Sequence, residues 1–199
     1  MRKEKIAELE RLMSEVRPVS YFLMDDKSKF VDVSVYNILL NNGKTIRREK
    51  ITKNGKDGSA VIIFALDSNN EVLLSVEPRV FTKNGVGVSL PAGYIEDGES
   101  PIVAGIRELL EETGYLASNG EVIAEYYQDE GISSAYNYGV LLTDLVDTGK
   151  QHLDEDEFVK KFKCSVDEVL ELIDMSFIES VNSKYTVQKA VEKIKIMKK

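Results

Sequence analysis

Residues 90–115 run LPAGYIEDGESPIVAGIRELLEETGY, a loop rich in Gly and acidic residues that passes directly into a helical period. Ser100 is a natural N-cap and Pro101 suits the first helical position, where its missing N–H goes unneeded. Gly114 is a favoured C-terminal stop, so the spacing predicts a helix from Pro101 to Thr113. On a wheel at about 100° per residue, Glu108, Glu111 and Glu112 fall within an arc of roughly 100°. Ile102, Val103, Ile106, Leu109 and Leu110 take the opposite side. One face is expected to pack on a sheet and the other to present three carboxylates. Like charges at such spacings disfavour an exposed helix by a few tenths of a kcal/mol per pair, and Arg107 at the edge offsets only part of that. A multivalent cation removes the conflict, and an all-oxygen set without His or Cys selects a hard ion, Mg²⁺ or Mn²⁺. A merely solvated acidic helix face is the competing reading.

The spacing around the three glutamates decides between these. Gly93, Glu99, Arg107-Glu108-Leu109, Glu111-Glu112 and Gly114-Tyr115 reproduce the Nudix box, Gly-x5-Glu-x7-Arg-Glu-aliphatic-x-Glu-Glu-x-Gly-aliphatic. The sequence resembles the Nudix hydrolases at every charged and glycine position of that motif. Tyr115 departs, standing where the family usually has an aliphatic residue. The resemblance implies an α+β fold: a Nudix-type α/β/α sandwich with a mixed central sheet, plus an N-terminal helix and β-hairpin region. It also implies an enzyme that hydrolyses a diphosphate linked to another group, with water attacking phosphorus and divalent metals neutralising the phosphates. Carried over, Glu108, Glu111 and Glu112 are expected as metal ligands with the backbone carbonyl of Ala92, Glu108 alternatively as a base. Glu99 and Arg107 are expected as the pair that orients the helix carboxylates. Gly93 and Gly114 are expected to give backbone freedom at the loop ends.

Upstream, Ile6, Leu9, Leu12, Met13 and Val16 recur at helical spacing, so residues 3–16 read as a surface helix ended by Pro18. Val31, Val33 and Val35 alternate with polar residues, Asn41-Asn42-Gly43 is a hairpin turn, and Thr45 to Thr52 is the returning strand. The polar connector Lys53 to Ser59 suggests a boundary, giving an N-terminal helix and β region, residues 1–55, and a catalytic domain, residues 56–199. Ala60–Leu66 and Val72–Val76 are apolar strands joined by Asp67-Ser68-Asn69-Asn70, another hairpin signal. Strands are expected at Glu121–Tyr127 and Tyr136–Leu142. Ser165-x-x-Glu168 is a capping box opening a helix. A last helix near Ser183 to Met197 buries Val187, Ala190, Val191 and Ile194 and ends at Lys198-Lys199.

Beyond the box, Leu90-Pro91-Ala92-Gly93 and Val72 to Val76 followed by Pro78-Arg79 are similar to the ADP-ribose and nucleoside-diphosphate-sugar pyrophosphatase branch. In that branch an N-terminal β region pairs with its counterpart in a homodimer. Arg47, Arg48 and Arg79 resemble its substrate-binding basic residues, suited to the task because the planar guanidinium grips phosphate bidentately. Ordinary strand-surface charge explains Arg47 and Arg48 equally well. Leu153-Asp154-Glu155-Asp156-Glu157-Phe158 resembles an acidic loop that delivers a glutamate to the metal site as base or extra ligand. Glu157 matches best and Glu155 second. The Pro-Gly usual beyond the box is here Glu130-Gly131, and the glutamate four residues on is Ala135, which bears on substrate choice. Tyr126, Tyr127, Tyr136 and Tyr138 are placed either to stack on a base or to fill the core.

The 199 residues suit one domain with a small appended element, and a 43% apolar, 30% charged composition supports a real core. A net charge of -8 disfavours binding to nucleic acid or anionic membranes. Cys164 is the only cysteine, so an intrachain disulfide is excluded and a reducing cytoplasm fits best. No signal peptide or membrane span is apparent. The expected substrate is a small nucleoside diphosphate derivative, ADP-ribose or another nucleoside-diphosphate sugar, cleaved to two monophosphates. A nucleoside-triphosphate sanitising enzyme that releases pyrophosphate is the alternative, and a catalytically silent Nudix ligand sensor a third.

Overall fold

The computed structural model describes residues 1–28 and 30–197; the expected role of Lys198-Lys199 at the last helix end lies outside them. Its elements run α1 (Lys3–Val16), β1 (Val31–Leu39), β2 (Thr45–Lys53), β3 (Ala60–Ala65), β4 (Glu71–Pro78), β5 (Val86–Ser89), β6 (Ala92–Tyr94), α2 (Pro101–Thr113), β7 (Tyr115–Tyr127), β8 (Tyr136–Asp147), β9 (Lys160–Ser165), α3 (Val166–Asp174) and α4 (Val181–Met197).

Strand β3 organises the centre. It lies parallel to β8, pairing Val61 with Tyr138 through Ala65 with Leu142, and antiparallel to β6. With β7 beyond β8 this makes a mixed sheet of order β6-β3-β8-β7. Its side chains obey the period of two. Ile62 and Phe64 join a core with α1, α3 and α4, whereas Val61, Ile63 and Ala65 join a second core with Ala104 and Leu109 of α2. Both faces of β3 are therefore buried, which is why it reads as an unbroken apolar run. The result is an α+β sandwich with helices on both sides of a mixed sheet.

Strands β5, β4 and β9 form a separate antiparallel sheet. The expected hairpin of Ala60–Leu66 with Val72–Val76 is thus corrected. Only an isolated bridge, Leu66 to Val72, joins them before they part into different sheets. The turn chemistry is genuine: Asp67 accepts from Asn69 N and Glu71 N, and Asn70 has φ 59°. Turn residues set a chain reversal, but the partners of each strand are chosen by burial far along the sequence.

Helix α1 buries Leu9, Leu12, Met13 and Val16 against β4, β5 and β9, and Lys5 pairs with Glu71 and Glu168 at 3.0 and 3.2 Å. Helix α3 opens with a complete capping box, Ser165 with Glu168, worth on the order of 1 kcal/mol. Strands β1 and β2 form their own two-stranded sheet in the register Val31–Lys53 to Leu39–Thr45. Its valines alternate as expected, and Val33 and Val35 are 58% and 54% exposed. Among the described residues, no helix is long and apolar enough to cross a membrane.

Candidate active site

The loop–helix unit over residues 90–115 follows its local signals. Ser100 Oγ accepts from Val103 N at 3.4 Å and Pro101 begins the helix. Gly114 takes φ 75°, a left-handed conformation that other residues adopt at a cost, and its N–H bonds Leu110 O.

Arg107 is the hub of the unit. Nε and Nη2 grip Glu99 Oε1 and Oε2, each at 3.0 Å. Nη1 donates to Glu108 Oε1 at 2.8 Å and Glu111 Oε2 at 3.0 Å, and Nη2 also donates to Tyr94 O at 3.0 Å. Five bonds match the five donors of a guanidinium, so its plane is locked. The Arg107 hydrogen bond holds the Glu99 carboxyl below its ordinary pKa despite partial burial. Glu99 Oε2 accepts Glu96 N as well, which ties the acidic loop to the helix.

Glu108 lies against the loop. A side-chain carbon on Gly93 would fall 1.9 Å from Glu108 Cδ, so the carboxyl sits where any other residue would place its Cβ. Gly93 has no positive φ. The expectation that it supplies backbone freedom is corrected: it supplies room, and only Gly114 of the two has the special dihedral. Ala92, whose carbonyl was expected beside the carboxylates, is on β6 opposite Ile62, next to this contact. Burial raises the Glu108 pKa against the pull of Arg107.

The expected division of α2 into an apolar face and a three-carboxylate face is also corrected. Val103 is 54% exposed, while Ala104, Gly105, Leu109, Glu112 and Thr113 are the buried positions. Glu112, 6% exposed, points at β4, where Ser75 Oγ donates to its Oε2 at 2.7 Å. Burial pushes its pKa up to about 8, and Glu77, Glu108 and Glu157 add repulsion against the single hydroxyl donor. Among the described residues, no three His, Cys, Asp or Glu side chains converge as a ready cage: Glu108 and Glu111 turn to Arg107, and Glu112 turns to Ser75.

Strand β4 contributes residues that the motif did not announce. Ser75 and Glu77 alternate with the buried Val72, Leu74 and Val76 and so face α2. The polar interruption of an apolar strand at every second residue was the available signal. Glu77 bonds Arg79 Nη2 at 2.7 Å; burial, the larger effect, raises its pKa against that partner. The Arg79 stem crosses Gly87, its Cγ 2.7 Å from where a side chain there would begin. Arg79 thus sits at the rim, aimed by Glu77.

Of the two acidic-loop candidates, Glu157 adds repulsion at Glu77, Glu108 and Glu112 and so lies within electrostatic reach of them; Glu155 is not among the groups acting on these three. Glu157 is held by its own loop, accepting Asp154 N at 3.1 Å. Arg47 and Arg48 are elsewhere. They line an open depression of about 340 Å³ with Glu49, Gly131 and Ile132, and Arg47 bonds Glu49 at 3.4 Å. Among the described residues nothing joins them to the α2 carboxylates. The hairpin does reach the main body there, through Ile51 N to Ile132 O. Of the tyrosines, Tyr126 packs on the α4 core and against Tyr185, whereas Tyr127, Tyr136 and Tyr138 form an edge-to-face ladder at the sheet margin.

The donor set fits a divalent cation. It is all oxygen, one carboxylate is buried and opposed by other acids, and relief by a hard ion is the physical counterpart of that repulsion.

Comparison with known proteins places this geometry. The profile of the NUDIX domain family matches residues 56–181. ADP-ribose pyrophosphatase of Bacillus subtilis (strain 168) is 30% identical over 161 residues, 80% of this chain and 84% of that protein. Methanol dehydrogenase activator of Bacillus methanolicus is 31% identical over 148 residues, 73% of this chain and 76% of its own length. ADP-sugar pyrophosphatase of Mus musculus is 31% identical over 140 residues, 67% of this chain and 59% of that one. A crystal structure of an ADP compounds hydrolase shares the fold with a TM-score of 0.73 at 20% identity, covering 86% of this chain and 90% of its own.

Proposed function

The chain belongs to the Nudix hydrolase family, and on that premise we propose that it cleaves the diphosphate of a nucleoside diphosphate joined to another group. ADP-ribose or a related nucleoside-diphosphate sugar is the substrate, and two monophosphates are the products. The observation that carries the reading is the Arg107 hub: one guanidinium ties Glu99 of the preceding loop to Glu108 and Glu111 of α2, the helix that also carries the buried Glu112. The relatives' activities toward ADP-ribose and ADP-sugars support the substrate class.

Glu108, Glu111 and Glu112, with the Ala92 carbonyl, are the groups that would hold Mg²⁺ or Mn²⁺. Such an ion supplies charge neutralisation on the diphosphate and lowers the pKa of water. The protein's own residues do the rest. Glu99 keeps Arg107 in place, and Arg107 holds Glu108 and Glu111 on their side of α2. Glu157 faces that side from the acidic loop and takes the proton of the attacking water, with Glu155 as the alternative. Arg79 binds phosphate at the rim. Cys164 plays no part: burial pushes its thiol up to about 12.

The exposed face of β1–β2 supports a homodimer in which this face is covered and Arg47 and Arg48 approach the partner's substrate. A division at 55/56 belongs to the same proposal, as does a cytoplasmic location without nucleic-acid or membrane partners. The test is a panel of nucleoside-diphosphate sugars, dinucleotides and nucleoside triphosphates with Mg²⁺ or Mn²⁺, products identified. Two monophosphates from a nucleoside-diphosphate sugar are expected. Free pyrophosphate from a triphosphate as the dominant product overturns the reading in favour of a sanitising enzyme.

A further inference from the structure

An α-helix leaves its last four carbonyls without intrahelical partners. At the end of α2 all four are satisfied. Leu110 O accepts Gly114 N at 2.9 Å, and Thr113 O accepts Lys161 Nζ at 3.1 Å. Glu111 O accepts His152 N at 2.9 Å, and Glu112 O accepts Gln151 Nε2. The next carbonyl, Gly114 O, accepts Thr148 N and Thr148 Oγ1 at 2.9 and 2.8 Å. Apart from the Gly114 turn, every one of these donors comes from residues 148–161, the segment that contains the acidic loop.

Gln151 occupies the neck of that segment. The same Nε2 that caps Glu112 O also reaches Val159 O at 3.3 Å, where the buried Val159 begins the return to β9. One amide therefore closes residues 152–158 into a loop and fastens the closure to the backbone of Glu112. The approach is close: a side-chain carbon on Gly114 would fall 2.5 Å from Lys150 O. That explains the box's terminal glycine by contact as well as by dihedral.

Resting on the role given above to Glu157, we propose that Gln151 is a positioning residue, holding the acidic loop and its glutamate in register with the carboxylates of α2. The helix and the loop supply opposite parts of one reaction, and a misplacement of about 1 Å between such parts is worth on the order of a hundredfold in rate. Gln suits the post because its NH₂ offers two donors to two carbonyls. A methionine of similar length offers none, and a lysine offers donors on another frame.

The experiment compares Gln151→Met, Gln151→Lys, Glu157→Gln and the double variant Gln151→Met/Glu157→Gln, alongside wild type. Steady-state rates are followed on ADP-ribose, and amide hydrogen exchange is followed across residues 148–161. Gln151→Met is expected to lower kcat by about 10–100-fold, the range for outer-shell positioning groups, with KM within about threefold. Exchange in residues 152–158 is expected to quicken while β3 and β8 keep their protection. Gln151→Lys is expected to recover most of both. The double variant is expected to be no slower than Glu157→Gln alone, within about threefold, because Gln151 acts through that residue. Multiplying losses in the double variant, or a Gln151→Met protein with wild-type rate and wild-type loop exchange, overturn the proposal. So does a Glu157→Gln enzyme with undiminished rate, since Gln151 then has nothing to position. A wild type that cleaves no member of the substrate panel sinks the hydrolase reading instead, and unchanged loop exchange in Gln151→Met still refutes the tether.

Discussion

Replacing Glu112 by Gln isolates the most unusual carboxylate of the molecule. It is 6% exposed, bonded to Ser75 Oγ, and faced by Glu77, Glu108 and Glu157. In metal-free protein its pKa lies at about 8, against an ordinary 4.5. A carboxyl raised on folding binds a proton more tightly when folded, so its contribution to stability is greatest below pH 4.5 and falls as pH rises towards 8. The linkage amounts to roughly 1.4 kcal/mol per unit, a destabilisation of about 3 kcal/mol at pH 7 and about 1 kcal/mol at pH 5. Gln is neutral throughout. In EDTA, Glu112→Gln should therefore gain on wild type by about 2 kcal/mol in going from pH 5 to pH 7. Any constant effect of the amide on packing cancels in that difference. Urea unfolding at the two pH values measures it, and added Mg²⁺ should stabilise wild type more than the variant. Turnover of the variant should fall by more than the about 100-fold that outer-shell positions lose. A difference between the two pH values below about 0.5 kcal/mol, or near-wild-type turnover at saturating Mg²⁺, would refute the reasoning.

Three further outcomes are expected. Glu157→Gln should cost about 10²–10⁴ in kcat if it is the general base, while Glu155→Gln stays within tenfold; the reverse pattern in the same rate assay moves the role to Glu155. Gly93→Ala forces Glu108 from its seat, since its new carbon lands 1.9 Å from Glu108 Cδ; the Mg²⁺ concentration for half-maximal rate should rise at least tenfold. Acid should weaken the fold through Asp67 and Glu99, whose carboxyls are held low by Lys163 and Arg107 against opposing burial. That stability is present above their ordinary pKa and is lost as pH falls through the lowered ones, and Asp67→Asn should flatten the unfolding curve below pH 4.

The helix of the box was legible because its determinants are local: cap, proline, period and terminal glycine all lie within 15 residues. What stayed hidden was set by distant contacts. The alternating valines of β1 announce two faces but not that Val33 and Val35 stay exposed. Glu112 looks like its neighbours on a wheel, and only the position of β4 turns it inward. Glu77 left a trace, the polar residue at every second place of an apolar strand. Gln151 left none, because a side chain that caps another helix's carbonyls is recognisable only when both are in place. Arg47 and Arg48 are predicted with Arg79, yet the hairpin carries them to the groove beside Ile132.

The parallel pairing of β3 with β8 has a consequence for how the chain is made. Val61 cannot find Tyr138 until most of the polypeptide has been synthesised, and α1 waits longer still, because β9, on which it partly rests, begins at Lys160. Pairings of such long sequence separation close slowly. The β1–β2 ribbon, whose strands are neighbours in sequence, is free to form early, with Val33 and Val35 as exposed as in the finished fold. Nascent chains of this protein are thus open to clumping while the apolar β3 waits for β8, and slowing translation between Ala65 and Tyr136 should lower the soluble yield.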